Sequence, residues 1–301
     1  MMDTLIQKIK EKGNPTVAGL DPKLDYIPQE MKTVAFAQHG ETAEGAAAAI
    51  FEFNKALIDA LYDIVPAVKP QSAYYEMYGW QGVKCLHDTI DYAKWKGMYV
   101  ICDAKRGDIG ATSEAYAKAY LGNTKITDTV QIPTFGADSL TVNPYLGTDG
   151  VQPFVEECKA NGKSIFILVK TSNKSSGELQ DITADGKHIY EKMAELVSGW
   201  GSETIGESGY SNVGAVVGAT YPEQAEAIRK ILPKTYFLVP GYGAQGGTAK
   251  DVARSFNADG LGAIVNASRS IMCAYQKNGG DLQTAARTEA IRMRDDILSA
   301  L

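Results

Sequence analysis

Residues 164–170, Ser164-Ile-Phe-Ile-Leu-Val-Lys170, set five apolar side chains in a row before ending in a lysine. A strand with one wet face would alternate apolar and polar. An unbroken run fits a parallel strand packed on one side and covered by helices on the other. Four similar β-branched runs precede it: Thr16–Asp21, Pro66–Lys69, Tyr99–Asp103 and Ser139–Asn143. Three follow: Val213–Val217, Tyr236–Val239 and Gly262–Val265. Helical patterns fill the gaps. Ile50, Phe53, Leu57, Leu61 and Ile64 share one helical face, as do Leu282, Ala286, Ala290, Met293, Ile297 and Leu301. The Ala46–Ala49 run reads as helix, and Pro222 suits the first turn of another, where its missing N–H costs little. Parallel strands need such crossovers, so the chain is α/β.

Eight βα units in about 250 residues is the ordinary size of a closed barrel. The expected fold is therefore a single (β/α)8 TIM barrel over residues 1–301, with helical and loop insertions at 22–45 and 173–209. The second insertion carries a helical piece from His188 to Trp200. No linker or fixed-period repeat divides the chain. A doubly wound open sheet is the alternative that periodicity alone leaves open.

The 301 residues are 45% hydrophobic and 22% charged, with a mean hydropathy of -0.19, values of a soluble globular chain. No apolar run approaches the roughly 20 residues needed to span a bilayer. The first fifteen residues lack a signal peptide's apolar centre and cleavage site, so a cytoplasmic protein is expected. Thirty basic against 36 acidic residues give a net charge of -6, without the basic excess of a nucleic-acid binder. A small anion can still be held by one arginine and a few backbone amides. Cys85, Cys102, Cys158 and Cys273 form no CxxC, and His39, His87 and His188 form no HExxH. All seven read as packing or surface groups. Trp80, Trp95 and Trp200 are expected in buried packing.

In a parallel barrel, function collects where strands end and βα loops begin. Asp21, Lys69, Asp103, Asn143 and Lys170 each end an apolar run, and Arg269 follows the last one. The densest part is Asp103-Ala-Lys-Arg-Gly-Asp-Ile-Gly-Ala-Thr112. Strand alternation puts Asp103 and Lys105 on one face, where a carboxylate and an ammonium would converge if that face is the barrel interior. Asp108 lies past the strand, where Gly107 and Gly110 permit a turn. A solvated loop with ordinary ion pairs is the competing reading.

Val239-Pro-Gly-Tyr-Gly-Ala-Gln-Gly-Gly247 is the second informative stretch. Glycines let backbone amides approach an anion, and a helix from Thr248 onward would turn its positive end toward it. Gly241, Gly243 and Gly246 also satisfy GxGxxG, but after the seventh strand instead of the first and without the acidic residue that a dinucleotide site needs. The loops after strands seven and eight are a common phosphate site in barrels, and this loop and Arg269 fall on them. A purely structural tight turn is the alternative.

These stretches together resemble the orotidine 5'-phosphate decarboxylases, in particular their longer bacterial form. The family signature DxKxxDIxxT is matched by Asp103, Lys105, Asp108, Ile109 and Thr112. The likeness continues in Gly19-Leu-Asp21-Pro, Val68-Lys69-Pro-Gln-Ser-Ala-Tyr-Tyr-Glu76 and Thr141-Val-Asn-Pro-Tyr145. It extends to Val169-Lys-Thr-Ser-Asn173, Pro240–Gly247 and Asn266-Ala-Ser-Arg-Ser270. The resemblance implies a homodimeric (β/α)8 barrel that converts orotidine 5'-monophosphate to uridine 5'-monophosphate and CO2, the last step of de novo pyrimidine synthesis, with no metal or organic cofactor. It also implies that Lys69, Asp103, Lys105 and Asp108 form an alternating charged set, with Asp108 and Thr112 reaching across from a second subunit. Asp21 would hold the ribose hydroxyls, Ser172 the pyrimidine, and Gln245 and Arg269 the phosphate, with the amides of Gly246 and Gly247 nearby.

Two rivals remain at this point. Sister barrels that use the same DxKxxD pattern act on sugar phosphates with Mg2+, as decarboxylases or aldolases. They need an acidic metal ligand at a preceding strand end, where this chain has Lys69. A barrel that binds a nucleotide without turning it over is the other rival, against which the full charged set argues.

Overall fold

The computed structural model describes residues 1–243 and 245–301. Eight strands close into a barrel in chain order: β1 (Thr16–Leu20), β2 (Ala67–Pro70), β3 (Tyr99–Arg106), β4 (Ser139–Val142), β5 (Ser164–Lys170), β6 (Ser211–Val217), β7 (Thr235–Val239) and β8 (Ala263–Ala267). Each pairs in parallel with its chain neighbours, and β1 with β8 completes the ring. All eight expected runs are barrel strands, and the open sheet is excluded.

Successive strand residues divide between two apolar clusters, as period-2 side chains require. Val17, Ala67, Tyr99, Ile101, Phe166, Tyr236, Leu238 and Ile264 point inward together. Ala18, Val68, Val100, Ile165, Ile167, Phe237 and Val265 point outward against the helices. The inner cluster is closed at one end by the helix Met2–Lys12, whose Met2, Leu5, Ile6 and Ile9 are buried in it. Its entry is pinned by the Met2 N–H donating to Asn212 Oδ1 at 2.8 Å. The open end, where strands run out into βα loops, is left for the site.

Outside the barrel, the helix Ala43–Leu61 buries Ile50, Phe53, Leu57 and Leu61 as expected, while Ile64 falls beyond its end and is half-buried. The C-terminal helix Leu282–Leu298 buries Leu282 through Ile297 on the expected stripe, and Leu301 lies exposed past it. The helix Pro222–Ile231 starts at its proline. The insertion after β1 contains the helix Gln29–His39. The one after β5 carries a helix over Ile189–Gly201, with His188 in its capping box, plus a small hairpin of Thr183–Ala184 and Lys187–His188. A hairpin of Asn123–Lys125 and Gln131–Pro133 was not anticipated.

Two of the three tryptophans correct the reading made from sequence, while Trp200 packs half-buried against the core. Trp80 and Trp95 are 71% and 74% exposed, because the helix Gly79–Trp95 buries the stripe Gly82, Cys85, Leu86, Thr89, Ile90 and Ala93 and turns both indoles outward. Cys85, Cys102 and Cys158 are buried thiols, and burial pushes the Cys85 thiol up to about 12.

Candidate active site

The strand ends surround a cavity of about 730 Å³. Asp21, Lys69, Asp103 and Lys105 converge there from the ends of β1, β2 and β3. Lys69 Nζ lies 2.7 Å from Asp103 Oδ2 and 3.8 Å from Asp21 Oδ1. The other Asp103 oxygen accepts from Lys105 Nζ at 2.6 Å and from Thr141 Oγ1 at 2.9 Å. The result is a line of alternating charge, carboxylate–ammonium–carboxylate–ammonium. Its middle members are enclosed, with Lys69 4% and Asp103 7% exposed. Its end, the Lys105 side chain, keeps 45% of its surface open.

Electrostatics lock these charges in place. Burial by itself would raise the Asp103 carboxyl, but Lys69 and Lys105 outweigh it and hold it well below the usual carboxylate range. Burial would lower Lys69, yet Asp103 and Asp21 push it up to about 12. Both groups are therefore ionised at neutral pH. Asp21 lines the cavity, and its Oδ1, enclosed and 3.8 Å from Lys69 Nζ, accepts no hydrogen bond.

Asp103 and Lys105 meet, but not by regular alternation. Pairing of β3 with β4 jumps from Cys102↔Leu140 to Arg106↔Val142, so residues 103–105 stand opposite Thr141 alone. Lys105 takes a left-handed backbone, φ 48°, which costs a non-glycine residue on the order of 1–3 kcal/mol. Thr141 holds this bulge from the next strand: its hydroxyl accepts the Lys105 N–H at 2.9 Å while donating to Asp103. Sequence reasoning gave Thr141 no role, although a lone polar residue between Leu140 and Val142 in a buried strand is a signal that could have been read.

Asp108 and Thr112 lie outside the cavity of this chain. Asp108 sits in the 107–109 loop, half-buried, its carboxylate accepting the Ile109 N–H at 2.8 Å. Thr112 is exposed in the helix Gly110–Tyr120. Ser172, Gln245 and Arg269 line the cavity from the loops after β5, β7 and β8, with Ser172 and the Gln245 carboxamide side by side next to Gly241. Lys23 and Tyr26 also line it and were missed, since the Pro22–Gly45 insertion carries no recognisable motif; Tyr74 lines it too, from the Val68–Glu76 stretch, where it was given no role.

The glycine loop after β7 departs from its expected use. The Gly246 N–H donates to Gly243 O at 2.9 Å and the Gly247 N–H to Gly241 O at 3.1 Å, so both amides are engaged inside the loop. Neither residue lines the cavity, whereas Gly241 and Gln245 do. Ala244 lies outside the described residues. The helix that follows is short, Ala249–Ala253, and its positive end is already met by the Asp251 carboxylate in a capping box with Thr248. Among the described residues, no group of three or more His, Cys, Asp or Glu is placed to hold a metal ion.

Residues 46–280 match the family model of the orotidine 5'-phosphate decarboxylase / HUMPS family. The chain is 43% identical to the orotidine 5'-phosphate decarboxylase of Rhodopirellula baltica over 96% of each chain. It is 41% identical to that of Clostridium tetani over 100% of this chain and 99% of the relative. Among solved structures, the OMP decarboxylase of Leishmania donovani superposes with a TM-score of 0.75 at 30% identity, over 99% of this chain and 98% of that one. Relatives this similar along the whole length, sharing the same barrel, leave one assignment: the chain belongs to the orotidine 5'-phosphate decarboxylase / HUMPS family.

Proposed function

We propose that the protein is an orotidine 5'-monophosphate decarboxylase, a carboxy-lyase that forms uridine 5'-monophosphate and CO2 in pyrimidine biosynthesis. The observation that carries this reading is the Asp21–Lys69–Asp103–Lys105 line in the barrel mouth, in a member of that family. Loss of CO2 from C6 of the pyrimidine leaves negative charge on a carbon with no ordinary π sink. Lys105, the exposed end of the line, supplies a cation beside that carbon and then the proton that replaces CO2. Asp103, with one oxygen on each lysine, keeps the Lys105 ammonium aimed. Asp21, with Lys69, takes the ribose hydroxyls, and the place of both in the cavity lining supports that role. Ser172 contacts the base. Gln245 and Arg269 take the phosphate. Amides of Gly246 and Gly247 join them only if the loop rearranges as it closes, since both are engaged within it. Phosphate binding far from the reacting bond then contributes to the rate by closing the loop.

The working form in this reading is a cytoplasmic homodimer in which Asp108 and Thr112 complete the partner's site, and residues 1–301 make one barrel domain. Two features support the dimer. Neither Asp108 nor Thr112 lines its own cavity. Around them, Ile109, Tyr145 and Leu146 are 55%, 76% and 50% exposed on loops that touch, the Asp108 carbonyl facing Gly150. No helix among the described residues is long and apolar enough to cross a membrane. Lys69 stands where a Mg2+-dependent sister enzyme needs an acidic ligand, so that alternative is not favoured.

The test is conversion of orotidine 5'-monophosphate by purified protein in EDTA, with Lys105→Ala alongside. Wild type is expected to turn over, and the variant to lose turnover while still binding uridine 5'-monophosphate. Turnover restored only by Mg2+, or near-normal activity of the folded variant, contradicts the reading.

A further inference from the structure

Lys170 ends β5 fully enclosed, yet it does not line the cavity. Its ammonium donates to Asp181 Oδ1 at 2.6 Å and to Ser176 Oγ at 3.3 Å. The ring centroids of Tyr221 and Tyr190 lie 4.4 and 5.7 Å from it. The next residue makes a second grip beside the first. The Thr171 N–H donates to Gln180 Oε1 at 2.9 Å, and Gln180 Nε2 donates back to Thr171 Oγ1 at 2.8 Å. Two consecutive strand-end residues thus clasp two consecutive residues at the far side of the 171–181 loop. Thr220 and Tyr221 brace it from outside, donating to the carbonyls of Ser172 and Asn173 at 3.2 and 3.3 Å. Ser172 and Gln180 of this loop are part of the cavity wall.

We infer that Lys170 is a positioning residue: through Asp181 it sets the 171–181 loop, and with it Ser172, so that the pyrimidine ring is held over Lys105. This rests on the decarboxylase reading above. Stability is a poor reason for such a group. Taking an ammonium out of water offsets most of its attraction to a carboxylate, and an apolar side chain of the same shape serves stability as well or better. An ammonium with its partners arranged around it does what an apolar chain does not: it fixes where each partner stands. Asp181 retains 39% side-chain exposure, so removing Lys170 leaves it near water and costs it little.

The test compares Lys170→Met and Asp181→Asn with wild type in four readouts. These are kcat and KM for orotidine 5'-monophosphate, affinities for uridine 5'-monophosphate and for ribose 5-phosphate, amide hydrogen exchange over 171–181, and the unfolding midpoint. Lys170→Met is expected to keep its unfolding midpoint while exchange in 171–181 speeds up and kcat/KM falls roughly ten- to a hundredfold. Affinity for the nucleotide drops, and affinity for ribose 5-phosphate, which has no base, does not. Asp181→Asn leaves the enclosed Lys170 ammonium without its carboxylate and is expected to lower the unfolding midpoint. At temperatures where it is folded it gives the same exchange and affinity-ratio pattern, which keeps the question answerable if Lys170→Met folds poorly. An unchanged exchange pattern and an unchanged ratio of the two affinities in both variants overturn the inference. So does a parallel loss of both ligands with a lowered unfolding midpoint, which is ordinary destabilisation. Failure of wild type to decarboxylate would instead overturn the reaction assignment, and the exchange data would still report on the clasp itself.

Discussion

Asp103 carries the site because each of its oxygens faces a different lysine within a closed environment. Removing its charge leaves Lys69 enclosed without its main partner, and Asp103→Asn is expected to cost about 3–5 kcal/mol at neutral pH. The pH dependence follows from the directions of the two shifts. Asp103 is lowered from 3.8, so its contribution is complete above that value and is lost as pH falls through the lowered native one. Lys69 is raised from 10.5 to about 12, so its contribution is complete below 10.5 and is lost as pH rises through about 12. Urea unfolding of wild type and Asp103→Asn should therefore show a constant difference between about pH 5 and about pH 9. A difference that changes across that window contradicts an ionised Asp103 paired with a charged Lys69. At this scale the charges were legible, because each ends an apolar run, where a barrel exposes its strand tips. The bulge that turns Lys105 toward Asp103 was not, since nothing in Asp103-Ala-Lys105 marks an interrupted ladder. Thr141, which holds that bulge, was visible only as an odd hydroxyl in an apolar strand.

Elements were legible in proportion to how much apolar surface each buries. The eight barrel strands and the helices Ala43–Leu61 and Leu282–Leu298 announce themselves by unbroken or stripe-like apolar patterns. The hairpin of Asn123–Lys125 and Gln131–Pro133 does not: its strands are three residues long and mostly exposed, so burial imposes no alternation on them. Engagement of the Gly246 and Gly247 amides within their loop depends on the path of the turn, which glycine content permits without dictating. The capping box of Thr248 and Asp251 was open to reading, since a Thr-x-x-Asp spacing marks a helix start whose amides are already met. The helix Met2–Lys12 is a plug at the end opposite the site, and Leu5 is fully buried in it. Leu5→Ala should cost about 2–5 kcal/mol of stability in urea unfolding while leaving kcat unchanged at temperatures where the variant is folded. A fall in kcat without a loss of stability would show that the plug does more than seal the barrel.

On the scale of the whole molecule, the cavity of one chain gathers Asp21, Lys69, Asp103 and Lys105, while Asp108 of the same chain does not line it. The sequence already put Asp108 past the strand that carries Lys105; the structure ends that strand at Arg106 and leaves Asp108 out of the cavity lining. We propose two sites assembled across a two-fold interface, each with Lys105 from one subunit and Asp108 from the other. Subunit mixing tests this most directly. Lys105→Ala and Asp108→Ala are each expected to be nearly inactive as purified homodimers. Mixed in equal amounts and allowed to exchange, they should form hybrid dimers in which one site carries both defects and the other carries neither. With random pairing, activity should recover to about a quarter of the wild-type value per subunit. No recovery after demonstrated exchange, or an Asp108→Ala homodimer with full activity, would contradict the shared charged site on which the account rests.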